Sequence, residues 1–225
     1  MLKIVIFDSG YGGEVFADYL KENLPIVEII RVIDWRNAEG YLKHPKSARR
    51  LAEVALQPYF GKVDLIVFAN HLLTITSLKF FRRKYSKQKF AGLKLQSPDG
   101  IIRNDILVLT TQAVARTINY RNYLFRIKRK TRTLTIDSWP AKIDDGELSS
   151  HELANTIETF LEKYKYTRST YPRELILACS HLSDIKAELK KFFGPKTKIY
   201  DSFNTALRDV CRILNIRGGT GRKAK

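Results

Sequence analysis

The stretch Glu174-Leu-Ile-Leu-Ala-Cys-Ser-His-Leu182 constrains this chain more than any other. Leu175 to Ala178 are four consecutive apolar residues, the pattern of a parallel strand covered on both faces. The strand delivers Cys179, Ser180 and His181 at its carboxyl end, and in open α/β sheets that end is where ligands sit. Behind it the spacing predicts a helix from about Ser183, with Ile185, Leu189, Phe192 and Phe193 at helical intervals and Gly194-Pro195 as the stop. A helix start beside a thiol favours the thiolate. A lone cysteine is more often a small buried core residue, but this one stands at a strand end next to a histidine.

Asp64-Leu-Ile-Val-Phe-Ala-Asn-His-Leu72 repeats the pattern nearly residue for residue, with Ala69 opposite Cys179 and His71 opposite His181. Chance similarity between two apolar strands is the alternative. The matched acid before each strand and the matched His-Leu after it favour a duplicated α/β unit with two facing strand ends.

A chain of 225 residues can bury one large core or two small ones. Its longest apolar runs, such as Ile4 to Phe7 and Leu65 to Ala69, are too short to span a bilayer, so no membrane partner is expected. Met1-Leu-Lys leads directly into a strand, and no signal peptide is expected. Two cysteines, Cys179 and Cys211, make neither a disulfide framework nor a metal site, which points to a reducing, cytoplasmic setting. The four histidines show no metal-ligand spacing. A formal net charge of +17 attracts anionic substrates, nucleic acid or membrane surfaces without choosing among them. Between Arg116 and Arg132 seven basic residues and no acid alternate with Tyr120, Tyr123 and Phe125. Such mixtures bind single strands by phosphate contact and stacking. An amphipathic helix with a solvated basic face is the favoured reading here, and nucleic acid is expected at most as a non-specific partner.

Along the chain, Leu2 to Phe7 form a first strand, and Asp8-Ser-Gly-Tyr-Gly-Gly13 is the turn into a helix carrying Val15, Phe16, Tyr19 and Leu20. The turn can offer backbone N–H groups to a carboxylate or phosphate, but it lacks the dinucleotide spacing. Val27 to Asp34 is a second strand, Trp35 to Pro45 a loop, and a helix follows from about Ser47. Leu65 to Ala69 is a strand, with a helix over 72–84 and a weak strand over 92–95. The turn Ser97-Pro-Asp-Gly100 marks a boundary. Then come a strand over 105–110, helical segments over 111–127 and a strand over 131–136. Ser149-Ser-His-Glu152 is a capping box ahead of a helix lined by Leu153, Ile157, Phe160, Leu161 and Tyr164. Lys198 to Tyr200 is the last strand, and Asp201-Ser202 caps a helix with Leu207, Val210 and Leu214. Strands alternating with helices imply an α/β fold with parallel sheets.

The ordered set Phe7-Asp-Ser-Gly-x-Gly-Gly13, Leu65-Ile-Val-x-Ala69, Ala178-Cys-Ser-His181 and Asp201-Ser202 resembles the aspartate/glutamate racemase superfamily, glutamate racemase most closely. The likeness runs from Lys3 to about Leu214. It implies two pseudo-symmetric parallel-sheet α/β domains with the active-site cleft between them. The first would be residues 1–97 plus about 202–216 and the second 98–201, ahead of a disordered basic tail over 217–225. It also implies a cytoplasmic enzyme of peptidoglycan-precursor supply, with a small anionic amino acid as substrate, no cofactor, no metal, and a homodimer as one assembly.

Racemisation removes the α-proton from one face of the carbon and returns one to the other, so two acid–base groups must flank it. In the family two cysteines do this. The resemblance carries one of them onto Cys179, with His181 and Asp8 as assistants that tune protonation and Ser9 and Ser180 at substrate contacts. The family's Pro-Tyr-Gly substrate loop is altered and corresponds to Gly40 and Tyr41, and Asn70 is a further substrate-binding candidate. The other thiol is missing. Ungapped alignment puts Asn70 in its place, while the internal repeat puts Ala69 there, and neither side chain exchanges a proton near neutral pH. The family's carboxylate-binding Thr is replaced by Ala113, and its acidic residue corresponds to Asp144 or Asp145.

Three readings stand at this point. One is a divergent racemase in which Cys179 serves one face and His71 the other; the ordinary role of His71 is to cap the next helix or bond a carboxylate. Another is a one-thiol enzyme of decarboxylase type, which protonates a carbanion from a single face. The third is an inactive homologue that binds an anionic ligand or macromolecule.

Overall fold

The computed structural model of the protein describes residues 1–95, 105–127 and 130–216. The expected boundary turn Ser97 to Gly100 and the expected tail 217–225 lie outside the described residues. The chain divides into two compact units, one formed by Met1–Lys94 with the chain from Ser202, the other by Leu95–Asp201.

The first unit holds β1 (Leu2–Asp8), α1 (Gly12–Asn23), β2 (Val27–Ile33), α2 (Ala38–Lys43), α3 (Pro45–Leu56), β3 (Leu65–Phe68), α4 (His71–Lys84), β4 (Phe90–Gly92) and α10 (Phe203–Leu214). Its sheet has the order β2-β1-β3-β4, with every neighbouring pair parallel. Side chains of a strand alternate between faces. Ile4, Ile6, Leu65 and Val67 therefore pack with Phe16 and Leu20 of α1 and Phe203, Leu207 and Val210 of α10. Val5, Phe7, Ile66 and Phe68 pack with Tyr41, Ala52, Leu56, Leu73 and Phe81 on the other side. This two-sided burial is why the central strands are apolar runs and not alternating ones. Each fully buried ring here contributes about 1.5–3 kcal/mol relative to exposure.

The second unit holds β5 (Ile106–Thr110), α5 (Gln112–Ala115), α6 (Ile118–Ile127), β6 (Thr131–Thr135), α7 (Trp139–Asp144), α8 (Ser150–Lys163), β7 (Glu174–Ala178), α9 (Lys186–Phe193) and β8 (Lys198–Tyr200). Its sheet, β6-β5-β7-β8, is again all parallel. The two sheets share topology and register. Asp8 faces Ile33 as Thr110 faces Thr135, and Ile66 faces Phe90 as Ile176 faces Tyr200, with the same sequence offset in each case. The duplicated α/β architecture expected from the repeat is the one observed. Among the described residues no helix is long and apolar enough to cross a membrane.

Three local expectations need correction. Trp35 to Pro45 is not a loop: a 3-10 turn at Trp35–Asn37 runs into α2, which is fixed by burial of Tyr41 and not by any apolar period. The helix expected from Ser183 begins at Lys186, because Ser180–Ser183 first form a 3-10 turn with Cys179 as its cap. Ser202 precedes α10 but makes no side-chain cap; its hydroxyl is engaged by His71 instead. The box at Ser149 and Glu152 forms as expected, the serine side chain accepting from the Glu152 N–H.

Candidate active site

In the first unit the polar groups gather where β1 and β3 end. Asp8, only 1% exposed, is the last residue of β1, and the glycine-rich turn lets α1 start directly on top of it. A Cβ on Gly13 would lie 2.5 Å from Asp8 Cβ and 2.7 Å from Ile33 Cδ1, closer than side chains tolerate. Asp8 Oδ1 accepts from the Ser9 backbone N–H at 2.6 Å and from Asn70 Nδ2 at 2.9 Å. The same amide nitrogen lies 3.3 Å from Ser9 Oγ, and Asn70 Oδ1 caps α4 by accepting from Leu73 N–H at 3.0 Å. Asp8, Ser9 and Asn70 thus form one hydrogen-bonded group.

His71, the first residue of α4, is 4% exposed and does not join that group through any of these bonds; its Nε2 lies 2.6 Å from Ser202 Oγ. Gly40 and Tyr41 lie on α2. A Cβ on Gly40 would come within 2.6 Å of Leu51 Cδ1, so this glycine serves close packing against α3. Tyr41 is 1% exposed, meets Phe7 edge-on, and donates to Asp34 Oδ2 at 2.6 Å. Burial first, then the Asp34 bond and the charges of Asp34 and Asp8, push this phenol far above its usual range, so it remains a donor. Asp34 has no signal in the sequence beyond its place after β2.

In the second unit the strand-end residues form an ordered array. Cys179 follows β7 and is 8% exposed; its Sγ lies 3.5 Å from His181 Nδ1. His181 Nε2 lies 3.3 Å from Oδ1 of Asp144, the last residue of α7, whose side chain is 24% exposed. Of the two neighbouring acids Asp144 and Asp145, it is Asp144 that makes this contact. Burial is the largest influence on His181 and pushes it down, but the hydrogen bonds to Asp144 and Cys179 and the charge interactions with both outweigh it and raise the imidazole to about 11. His181 is therefore an imidazolium at neutral pH, with both ring N–H groups donating, one to the sulfur and one to the carboxylate. Asp184 is raised by burial, against the lowering charge of His181. Ser180 is 4% exposed and begins the 3-10 turn.

Asn70 and Cys179 hold corresponding places, Asn70 as the cap of α4 and Cys179 as the cap of the 3-10 turn Ser180–Ser183. Asp8 pairs with Ile33 as Thr110 pairs with Thr135, and on that match Ala69 corresponds to Ala178 and Asn70 to Cys179, the register of the ungapped alignment and one residue from that of the internal repeat. Cys211, the other cysteine, is packed on α10 among Leu207, Val210 and Leu214 in the core of the first unit. Among the described residues no cluster of three His, Cys, Asp or Glu side chains is arranged to hold a metal ion.

Two parallel α/β units of one topology, one of them ending a central strand in a thiol–imidazolium–carboxylate array, define a protein equipped for acid–base chemistry at strand ends. No family model matches the chain. Its homologues are glutamate racemases: that of Aquifex aeolicus is 23% identical over 209 residues, covering 91% of this chain and 81% of its own. That of Campylobacter jejuni is 26% identical over 209 residues, covering 89% and 81%. Among solved structures, Escherichia coli glutamate racemase in complex with L-glutamate and the activator UDP-MurNAc-Ala matches with a TM-score of 0.76 at 18% identity, over 96% of this chain and 83% of that one.

Proposed function

We propose that this chain is an amino-acid isomerase of the glutamate racemase type, which moves a proton at the α-carbon of an acidic amino acid with Cys179 as the exchanging group. The observation that carries the reading is the array Cys179–His181–Asp144 at the carboxyl end of β7. Asp144 orients the imidazolium, and the imidazolium holds a proton beside the sulfur, which is the arrangement a thiol needs to take and return a proton. Asp8, fixed by Asn70 and the Ser9 N–H, supplies a carboxylate that tunes protonation at the other strand end, with Ser9, Asn70 and Ser180 as polar contacts for substrate. His71 is assigned to holding Ser202 and not to catalysis. Incubation of L- and D-glutamate and aspartate in deuterated water tests the reading: deuterium at Cα supports it, and none across these substrates contradicts it.

A specific observation favours a second reading. Neither Ala69 nor Asn70 at the end of β3 is a thiol and Cys211 is in the core, so only Cys179 stands at a strand end. One donor is enough to protonate a carbanion left by decarboxylation. Loss of carbon dioxide from a substituted malonate, without Cα exchange in glutamate or aspartate, would select this reading.

A further inference from the structure

The end of the second sheet opposite Cys179 carries a feature that proton transfer does not use. The segments preceding the strands and the connection from α8 to β7 enclose a groove of about 500 Å³. Its walls hold three tyrosine rings, Tyr164, Tyr166 and Tyr171, and three cations, Lys130, Lys165 and Arg173. The single acid in the lining, Asp105, is already neutralised: Lys130 Nζ lies 2.7 Å from its Oδ2 and the Tyr166 hydroxyl donates to the same oxygen at 2.6 Å. The side chains of Lys165 and Arg173 and the hydroxyls of Tyr164 and Tyr171 make no hydrogen bond or ion pair within the described residues.

The rings are braced by neighbouring side chains. Arg132 lies 4.5 Å from the centroid of Tyr164, Lys130 lies 5.4 Å from that of Tyr166, and Tyr171 stacks on Phe192. The cations are also spaced. In the groove Lys130 precedes β6 and Arg173 precedes β7, and beyond its lining Lys198 opens β8, its N–H bonded to the Arg173 carbonyl. With strands about 4.8 Å apart, a row across the order β6-β5-β7-β8 extends roughly 14 Å, too long for one phosphate and suited to several in succession.

We propose that this groove binds single-stranded nucleic acid without sequence preference, the cation row following the phosphates and the braced tyrosines stacking on bases. Rings and cations in one groove are the two ingredients of such sites, and the chain's formal charge of +17 supplies the long-range attraction. The basic segment Arg116 to Arg132 enters the site differently from its sequence pattern: Tyr120 is buried and bonded to Thr133, and the stacking rings come from the α8–β7 connection.

The test is fluorescence anisotropy of the whole chain with a labelled single strand of about 12 nucleotides, an oligothymidylate, at low salt. We expect saturable binding that weakens with a slope of about −2 to −3 in log K against log salt, as four phosphate contacts on a single strand require. Lys165→Ala with Arg173→Ala and Lys198→Ala should weaken binding at least tenfold and flatten that slope. Tyr164→Ala should weaken it about tenfold and leave the slope unchanged. All these side chains lie outside the proton-transfer array, so Cα exchange, measured in parallel, should be unaltered and reports that the variants are folded. The proposal is overturned by absence of saturable binding, by variants that bind as the wild type does, by equal affinity for the corresponding duplex, or by thymidine monophosphate competing as well as the oligomer.

Discussion

At the scale of single residues, the account rests on His181 holding its proton through the neutral range. Its raised value means the proton stabilises the fold fully below about 6.5, and that contribution is lost as pH rises toward about 11. Asp144→Asn removes the orienting carboxylate and brings the loss to lower pH. The stability difference between wild type and variant in urea melts should therefore be larger at pH 6 than at pH 9; an equal difference would mean that the ion pair does not hold the proton. His71 gives the contrasting case. His71→Ala leaves the Ser202 hydroxyl buried without its partner and should cost about 1–3 kcal/mol in the same melts, while exchange at Cα through Cys179 persists. Loss of exchange in a variant that remains folded would return His71 to the catalytic machinery.

Elements show why part of this was legible and part was not. Strands β1, β3, β5 and β7 announce themselves as apolar runs because both faces are covered, and the Asp/Glu-to-His-Leu repeat pointed to a duplicated unit. Its register is one residue away from that of the ladders and caps, which match Asn70 with Cys179, because the apolar runs carry no mark of where pairing ends. Helix α2 was hidden because its residues lack an apolar period, and one buried tyrosine bonded to Asp34 fixes it. The His71–Ser202 bond joins residues 131 positions apart, and no local pattern encodes such a contact. The choice of Asp144 over Asp145 likewise depended on how α7 ends beside β7. Two substitutions test how the elements hold the Asp8 group. Gly13→Ala puts a methyl into Asp8 and Ile33 and should destabilise by about 1–3 kcal/mol with a lower Tm; no change in Tm would mean α1 does not pack as tightly as described. Asn70→Ala removes the α4 cap and should cost about 0.5–2 kcal/mol, which the urea midpoint would report.

For the whole molecule, the formal charge of +17 is repelled by itself in the compact state. Raising sodium chloride from about 0.02 M to about 0.3 M screens that repulsion and should raise Tm; a falling Tm would mean that paired charges dominate. Glutamate racemase homologues align over about nine tenths of the chain at 23–26% identity. The most direct measurement is deuterium incorporation at Cα of glutamate and aspartate in deuterated water, with wild type beside Cys179→Ala. The account predicts exchange in the wild type and a loss of about 10²–10⁴-fold in the variant. Exchange that survives in a folded Cys179→Ala protein would contradict it.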